Sequence, residues 1–121
     1  TMTEISRLHT SPRASVIVRH GDVIYLSGQV AQDADADVQE QTRSTLLRVE
    51  TLLSEAGSSP SHILSATIYL RDIANDFAPM NEVWNAWVPD GQAPARACVQ
   101  AHMARSALLV EISVIAAVIT D

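Results

Sequence analysis

The stretch "QAPARACVQAHMARSALLVEISVIAAV" (Gln92 to Val118) decides how the chain is read, because it holds two apolar, strand-like runs around a short polar turn. It has an arginine near its start, Arg96, and a single carboxylate, Glu111, in its second half. Side chains alternate across a strand, so parity sorts them onto two faces. In the first run Ala97, Val99, Ala101 and Met103 share one face, and Arg96, Cys98, Gln100 and His102 the other. In the second, Leu108, Val110, Ile112 and Val114 are wholly apolar, while Leu109, Glu111, Ser113 and Ile115 are mixed. The runs read as a hairpin, with strands near Arg96–Met103 and Leu108–Ile119 joined by "ARSA". If residues 104–107 form an even-length loop, the apolar sets coincide and Arg96 shares the mixed face with Glu111. Arg96 then lies opposite Ile115, about 13 Å along the strand from Glu111. That is long for a salt bridge but suits two side chains bracketing something small.

Upstream, "ASVIVRHGDVIYLSGQV" alternates around a Gly21-Asp22 turn signal and predicts a hairpin near Ala14–His20 and Val23–Val30. The acidic "DADADVQEQ" opens a helix, since aspartate near an N-terminus caps free N–H groups. Val38, Leu46, Val49, Leu52, Leu53 and Ala56 fall on its apolar stripe, and Gly57 is the stop. "HILSATIYL" is a strand. "NDFAPMNEVWNAWV" is a second helix, with Asp76 as N-cap, Pro79 in the first turn, and Phe77, Met80, Val83, Trp84 and Trp87 as its apolar side. The order is ββαβαββ. It predicts an α+β sandwich in one domain spanning residues 1–121, with both helices on one sheet face and residues 1–12 a loose segment.

The 121 residues suffice for one core, and 47% apolar with 18% charged residues is the balance of a folded chain. A net charge of −6 argues against nucleic acid or an anionic membrane surface as the main partner. The sole cysteine, Cys98, leaves no intrachain disulfide and suits a reducing cytosol. No run is apolar and long enough to span a bilayer, and the first residues lack a secretory-signal pattern, so the expected location is cytoplasmic.

Parity also puts Tyr25, Ser27 and Gln29 with Ser65, Thr67 and Tyr69, opposite Ile24, Leu26, Leu64, Ile68 and Leu70. The sheet therefore has one apolar face for the helices and one polar face almost free of charge. A face meeting only water normally has more Lys, Glu and Arg. A further copy of the chain is the economical cover, which predicts a homo-oligomer. The guanidinium fork of Arg96 fits a carboxylate bidentately, and the Glu111 carboxylate can hold a water. The pair suits a small carboxylate-bearing ligand that meets water; it also reads as a structural ion pair or an intersubunit bridge.

At "YLSGQV", "ATIYLRDIANDFAPMNEVWNAWV" and "PARACVQ…VEISVIAAV" the chain resembles the reactive intermediate deaminase (RidA/YjgF/YER057c/UK114) family over about Val16 to Val118. "MNEVWNAWV" and "ARSA" look nearest the YoaB-like branch. The resemblance implies a chorismate-mutase-like fold and a homotrimer with clefts between subunits. It implies cofactor-free hydrolysis of enamine/imine intermediates to 2-oxo acids and ammonia. Carried over, Arg96 clamps the imino acid's carboxylate and Glu111 orients or activates the attacking water. Ser27, Gly28 and Cys98 line the pocket, and Asn81 holds its geometry. An imine is already electrophilic, so a positioned carboxylate and water suffice for the chemistry. The chain departs from RidA proper in three places. "SPRAS" offers Arg13 or Ala14 where that branch has a tyrosine, "ARSA" replaces a Leu-Pro-Lys-Gly turn, and Ser113 stands for a second glutamate.

Other residues read more plainly. Cys98 is a small buried apolar group, and Trp84 and Trp87, three apart on a helix, pack the core. His9, His20, His62 and His102 lack metal-ligand spacing, and the 33–40 acidic run lacks the glycine and terminal glutamate of a calcium loop. Arg13 is a second carboxylate clamp entering a neighbour's cleft, or a solvated arginine. The alternative function is a non-catalytic trimeric module binding small carboxylates such as 2-oxo acids. Ribonuclease activity is the weakest reading at this charge, and the sequence is silent on a chaperone role.

Overall fold

The structure is a computed structural model that describes residues 4–120. The described residues form seven strands and two α-helices, with one 3-10 turn (Pro60–His62) before β5: β1 (Ile5–Thr10), β2 (Ser15–His20), β3 (Val23–Leu26), β4 (Gln29–Val30), α1 (Val38–Glu55), β5 (Ile63–Leu70), α2 (Ile73–Trp87), β6 (Ala95–Gln100) and β7 (Val110–Ala117). One sheet takes the order β1-β2-β3-β7-β5-β6, with β4 continuing beside β7. β5 and β6 are parallel; the other pairings are antiparallel. The expected ββαβαββ order stands as β2-β3-α1-β5-α2-β6-β7.

Three features differ from the sequence reading. Part of the segment expected to be loose, Ile5–Thr10, is strand β1, paired along β2 with all its side chains exposed. β6 and β7 form no hairpin. β6 pairs parallel with β5 at the sheet edge, β7 lies between β3 and β5, and residues 101–109 cross over between them. Two register shifts then move individual side chains. One between Ile63 and Ser65 turns Leu64 out to 50% exposure. The other separates the Tyr25–Ile115 pair from the Gln29–Ile112 pair and turns Gln29 inward, away from the face of Tyr25.

α1 begins where Asp37 accepts from the Glu40 N–H at 2.9 Å, and Gly57, at φ 83°, takes the left-handed turn that follows it. The expected stripe of Val38, Leu46, Val49, Leu52 and Leu53 is buried, while Ala56 is half-buried at the C-cap. Gln41, Thr42 and Thr45 are buried with the stripe. The two threonines donate to carbonyls one turn back, at 2.7 Å each. Gln41 works over a longer range: its amide nitrogen donates to the carbonyls of Ala34, Ala36 and Ala107, and its Oε1 accepts from Leu109 N–H at 2.9 Å. One fully buried side chain thus ties the crossover before β7 to α1. α2 starts a turn earlier than expected. Asp72, not Asp76, is its N-cap, accepting from Asn75 N–H, and Pro79 lies inside the helix rather than in its first turn. Met80, Val83 and Trp84 are buried and Trp87 is partly so, but Phe77 is 42% exposed. Both helices cover the face that presents Ile17, Ile24, Ala66, Ile68, Ile112 and Val114.

Candidate functional site

β6 is an edge strand, and its pairing fixes where its side chains go. Arg96, Cys98 and Gln100 lie beside Ala66, Ile68 and Leu70, the buried residues of β5. Paired residues share a face, so all three sit on the helix side. Glu111 pairs with Tyr69 and Val30 on the opposite, open face, which also presents Thr67, Ser113 and Ile115. The expectation that Arg96 and Glu111 share a face is therefore corrected. It rested on a β6–β7 hairpin, and the parallel crossover inverts the parity of β6. Among the described residues no ion pair joins the two.

Arg96 is held from two sides by α2. Its Nη1 donates to Asn81 Oδ1 at 2.7 Å, and its Cζ stands 5.4 Å from the centroid of the Trp84 ring. Asn81 and Trp84 are three residues apart and so project from one side of the helix. Trp84 is 4% exposed, and its ring centroid lies 5.7 Å from that of Trp87, which fixes the platform under the guanidinium. Gln100, also on β6, accepts from the Ile73 N–H at 3.0 Å and locks the start of α2 to the same strand. Arg96 itself remains exposed, with charge uncompensated by any carboxylate among the described residues. Cys98, one step further along the strand, packs half-buried against the core. Burial pushes its thiol pKa up, and the Arg96 charge partly opposes this.

Glu111 stands differently. Its half-buried carboxylate accepts no hydrogen bond among the described residues. It lies directly over Gly28, between β3 and β4. Ser27 is occupied structurally: its N–H donates to Val16 O at 2.9 Å and its hydroxyl to Ser15 O at 2.5 Å. Arg13 sits exposed at the β1–β2 turn, so within one chain it belongs to the sheet edge opposite β6. An open groove of about 590 Å³ runs between the 28–32 segment and α1, where Arg48 donates to Gln29 Oε1 at 2.8 Å. A second, of about 420 Å³, borders Trp84, Val88, Pro89 and Ala93. Among the described residues no cluster of three or more His, Cys, Asp or Glu fits a metal, and no helix is long and apolar enough to cross a membrane.

The structure thus brings Arg96, Asn81 and Cys98 together on one face, and Glu111 and Gly28 together on the other. Sequence reasoning missed Trp84 as the support of Arg96. Its spacing from Asn81 was the available signal.

Comparison with known proteins fits this architecture. The family profile described as Endoribonuclease L-PSP matches residues 4–118. The RutC family protein YoaB of Escherichia coli K12 is 45% identical over 114 residues, covering 94% of this chain and 98% of that protein. The crystal structure of a YjgF-family protein from Neisseria meningitidis superposes with a TM-score of 0.95 at 41% identity, covering both chains fully. A YjgF/YER057c/UK114-family structure from Mycobacterium tuberculosis gives 0.83 at 26% identity, over 95% of this chain and all of that one.

Proposed function

This chain belongs to the Endoribonuclease L-PSP family, which the YjgF and RutC proteins share, and from that premise we propose that it hydrolyses small reactive enamine/imine intermediates to 2-oxo acids and ammonia. The substrates are 2-imino acids of the size of 2-iminopropanoate and 2-iminobutanoate. The observation that supports this most is the Arg96 guanidinium, fixed by Asn81 and Trp84 yet left without a carboxylate among the described residues. A cation preorganised on a rigid helix and strand is ready to take a ligand carboxylate at little entropic cost. The substrate's own anionic group is the natural occupant.

In the proposed reaction Glu111 accepts a proton from water as the water oxygen bonds to the imine carbon. Starting from the protonated imine, that proton passes to the nitrogen of the resulting carbinolamine. Glu111 then takes up the hydroxyl proton as the C–N bond breaks and the carbonyl of the 2-oxo acid forms, and hands it to the departing ammonia, which leaves as ammonium. Arg96 and Glu111 lie on opposite faces of one sheet, so a single chain does not present both to one substrate. The proposal therefore includes assembly. Copies meet in a homotrimer, and each cleft draws Arg96, with Asn81 and Cys98, from one subunit and Glu111, with Gly28, from the next. Arg13, at the far sheet edge, joins a cleft only in this way. The unpaired edge of β6 and the nearly uncharged open face agree with such contacts. The setting proposed is the cytoplasm, with no cofactor, nucleic acid or membrane required.

The test generates 2-iminobutanoate in situ from an amino acid and a dehydratase, and follows its capture by semicarbazide. Wild type is expected to suppress capture; Arg96→Ala loses this by about 100-fold or more. Unchanged capture with wild type, for this imine and a bulkier one, sinks the deaminase reading. The second reading, a non-catalytic module binding 2-oxo acids through Arg96, is favoured by the separation of Arg96 from Glu111. Tight 2-oxobutanoate binding without turnover, lost in Arg96→Ala, would establish it.

A further inference from the structure

Gly28 has no conformational reason to be glycine. The glycines with positive φ are Gly21, Gly57 and Gly91; Gly28 is not among them, so its backbone accepts an ordinary residue. What a side chain would meet there is Glu111. The three atoms nearest a Cβ on residue 28 all belong to that glutamate: Oε2 in direct collision, Cδ at 2.9 Å and Cγ at 3.1 Å. The obstacle is the end of a flexible side chain, not backbone, and that side chain has no hydrogen bond holding it among the described residues. A methyl group at 28 therefore displaces the carboxylate and leaves the sheet standing.

We propose that Gly28 is a positioning residue for Glu111, the missing Cβ being the seat in which the carboxylate rests. The flanks fix that seat. Ser27 is bonded to both Val16 and Ser15, and Gln29 is buried and receives Arg48, so the Gly28 backbone cannot retreat. With no hydrogen-bond donor among the described residues to orient it, the carboxylate takes its place from shape. This deepens the deaminase reading and rests on it: Gly28 acts on the reaction through Glu111 and not by its own contact with the ligand.

The experiment is a cycle of Gly28→Ala, Glu111→Ala and the double variant, read by melting temperature, deamination and 2-oxobutanoate affinity. Gly28→Ala is expected to lower Tm by about 4 °C. In the Glu111→Ala background, where the collision is gone, it costs close to nothing. Deamination by Gly28→Ala falls about 10–100-fold, because a misplacement of about 1 Å is enough. Product affinity, set by Arg96, stays within about twofold. Equal Tm losses in both backgrounds overturn the proposal, because residue 28 then acts independently of Glu111. Undiminished deamination beside a coupled Tm overturns it too, as does product affinity falling in step with rate, which makes Gly28 a ligand contact. If wild type has no deaminase activity, the proposed function fails separately, and the Tm cycle still decides whether Gly28 seats the carboxylate.

Discussion

The two side chains of the candidate site, Arg96 and Glu111, are held in opposite ways. Arg96 is clamped by chemistry: a hydrogen bond donated to Asn81, an indole under its plane, and Gln100 tying helix to strand. Glu111 is confined by shape, against a glycine and between neighbouring strands, with no polar partner among the described residues. A group that recognises a fixed anion gains from rigidity, because less entropy is lost on binding. A group that must take up and return a proton gains from a carboxylate whose lone pairs are uncommitted. The difference in tethering matches the proposed division of labour between binding and proton transfer.

Mutations can break this comparison at several strengths. The largest effect is expected from Gln41→Leu, which leaves the carbonyl of Ala107 and the N–H of Leu109 unpaired just before β7 and so loosens the strand that bears Glu111. Ala107 is exposed and Leu109 half-buried, so water replaces part of what is lost; each broken bond costs about 1 kcal/mol, and denaturant unfolding should show a loss of about 2 kcal/mol. A loss under about 1 kcal/mol would mean the crossover finds other partners. Next comes Asn81→Leu, which removes a charge-assisted hydrogen bond. Calorimetry should show 2-oxobutanoate affinity down about tenfold, with Trp84→Phe, a smaller platform, costing only a few-fold. Unchanged affinity in both would make Arg96 self-sufficient and erase the contrast with Glu111.

The smallest effect concerns Cys98. Burial raises its pKa and Arg96 draws it partly back, so the thiol is mostly protonated at neutral pH and its alkylation rate rises only in alkali. Arg96→Ala removes the opposing charge, so the midpoint of the rate-versus-pH curve moves further up. The same raised pKa lowers stability at high pH. The unfolded thiol ionises first, near its ordinary value of 9.0, and the folded state then loses stability until its own pKa is passed. Cys98→Ala should flatten that decline. An unmoved midpoint in Arg96→Ala would place the guanidinium too far from the sulfur to matter.

Much of this was legible in the residues. Asp37 and Gly57 bracket α1 as their chemistry dictates, and the inward face of β7 follows from strict alternation. What alternation could not reveal was which strands are neighbours. Two apolar runs separated by a short polar turn signal a hairpin locally, but α2 carries the chain across the sheet, so β6 settles parallel to β5 and β7 enters between strands already separated in sequence. Hence Arg96 and Glu111 could be singled out as candidates from the sequence, while their placement on opposite faces could not be read there. Leu64 and Gln29 were misassigned for a related reason, because a one-residue shift reverses every side chain beyond it. Gln41 gave no sign of its role, since a polar residue on an apolar stripe reads as surface until its distant partners are known.

The middle strand of the sheet has one more consequence. β7 pairs with β3, β4 and β5, yet it follows every other strand in the chain. Without residues 110–117 no strand pairing joins the ribbon β1-β2-β3 to the β5-α2-β6 unit. The sheet is therefore closed by a strand that comes after both of its neighbours in the chain, and its pairing is non-local and slow to form, which makes β7 the keystone of the fold.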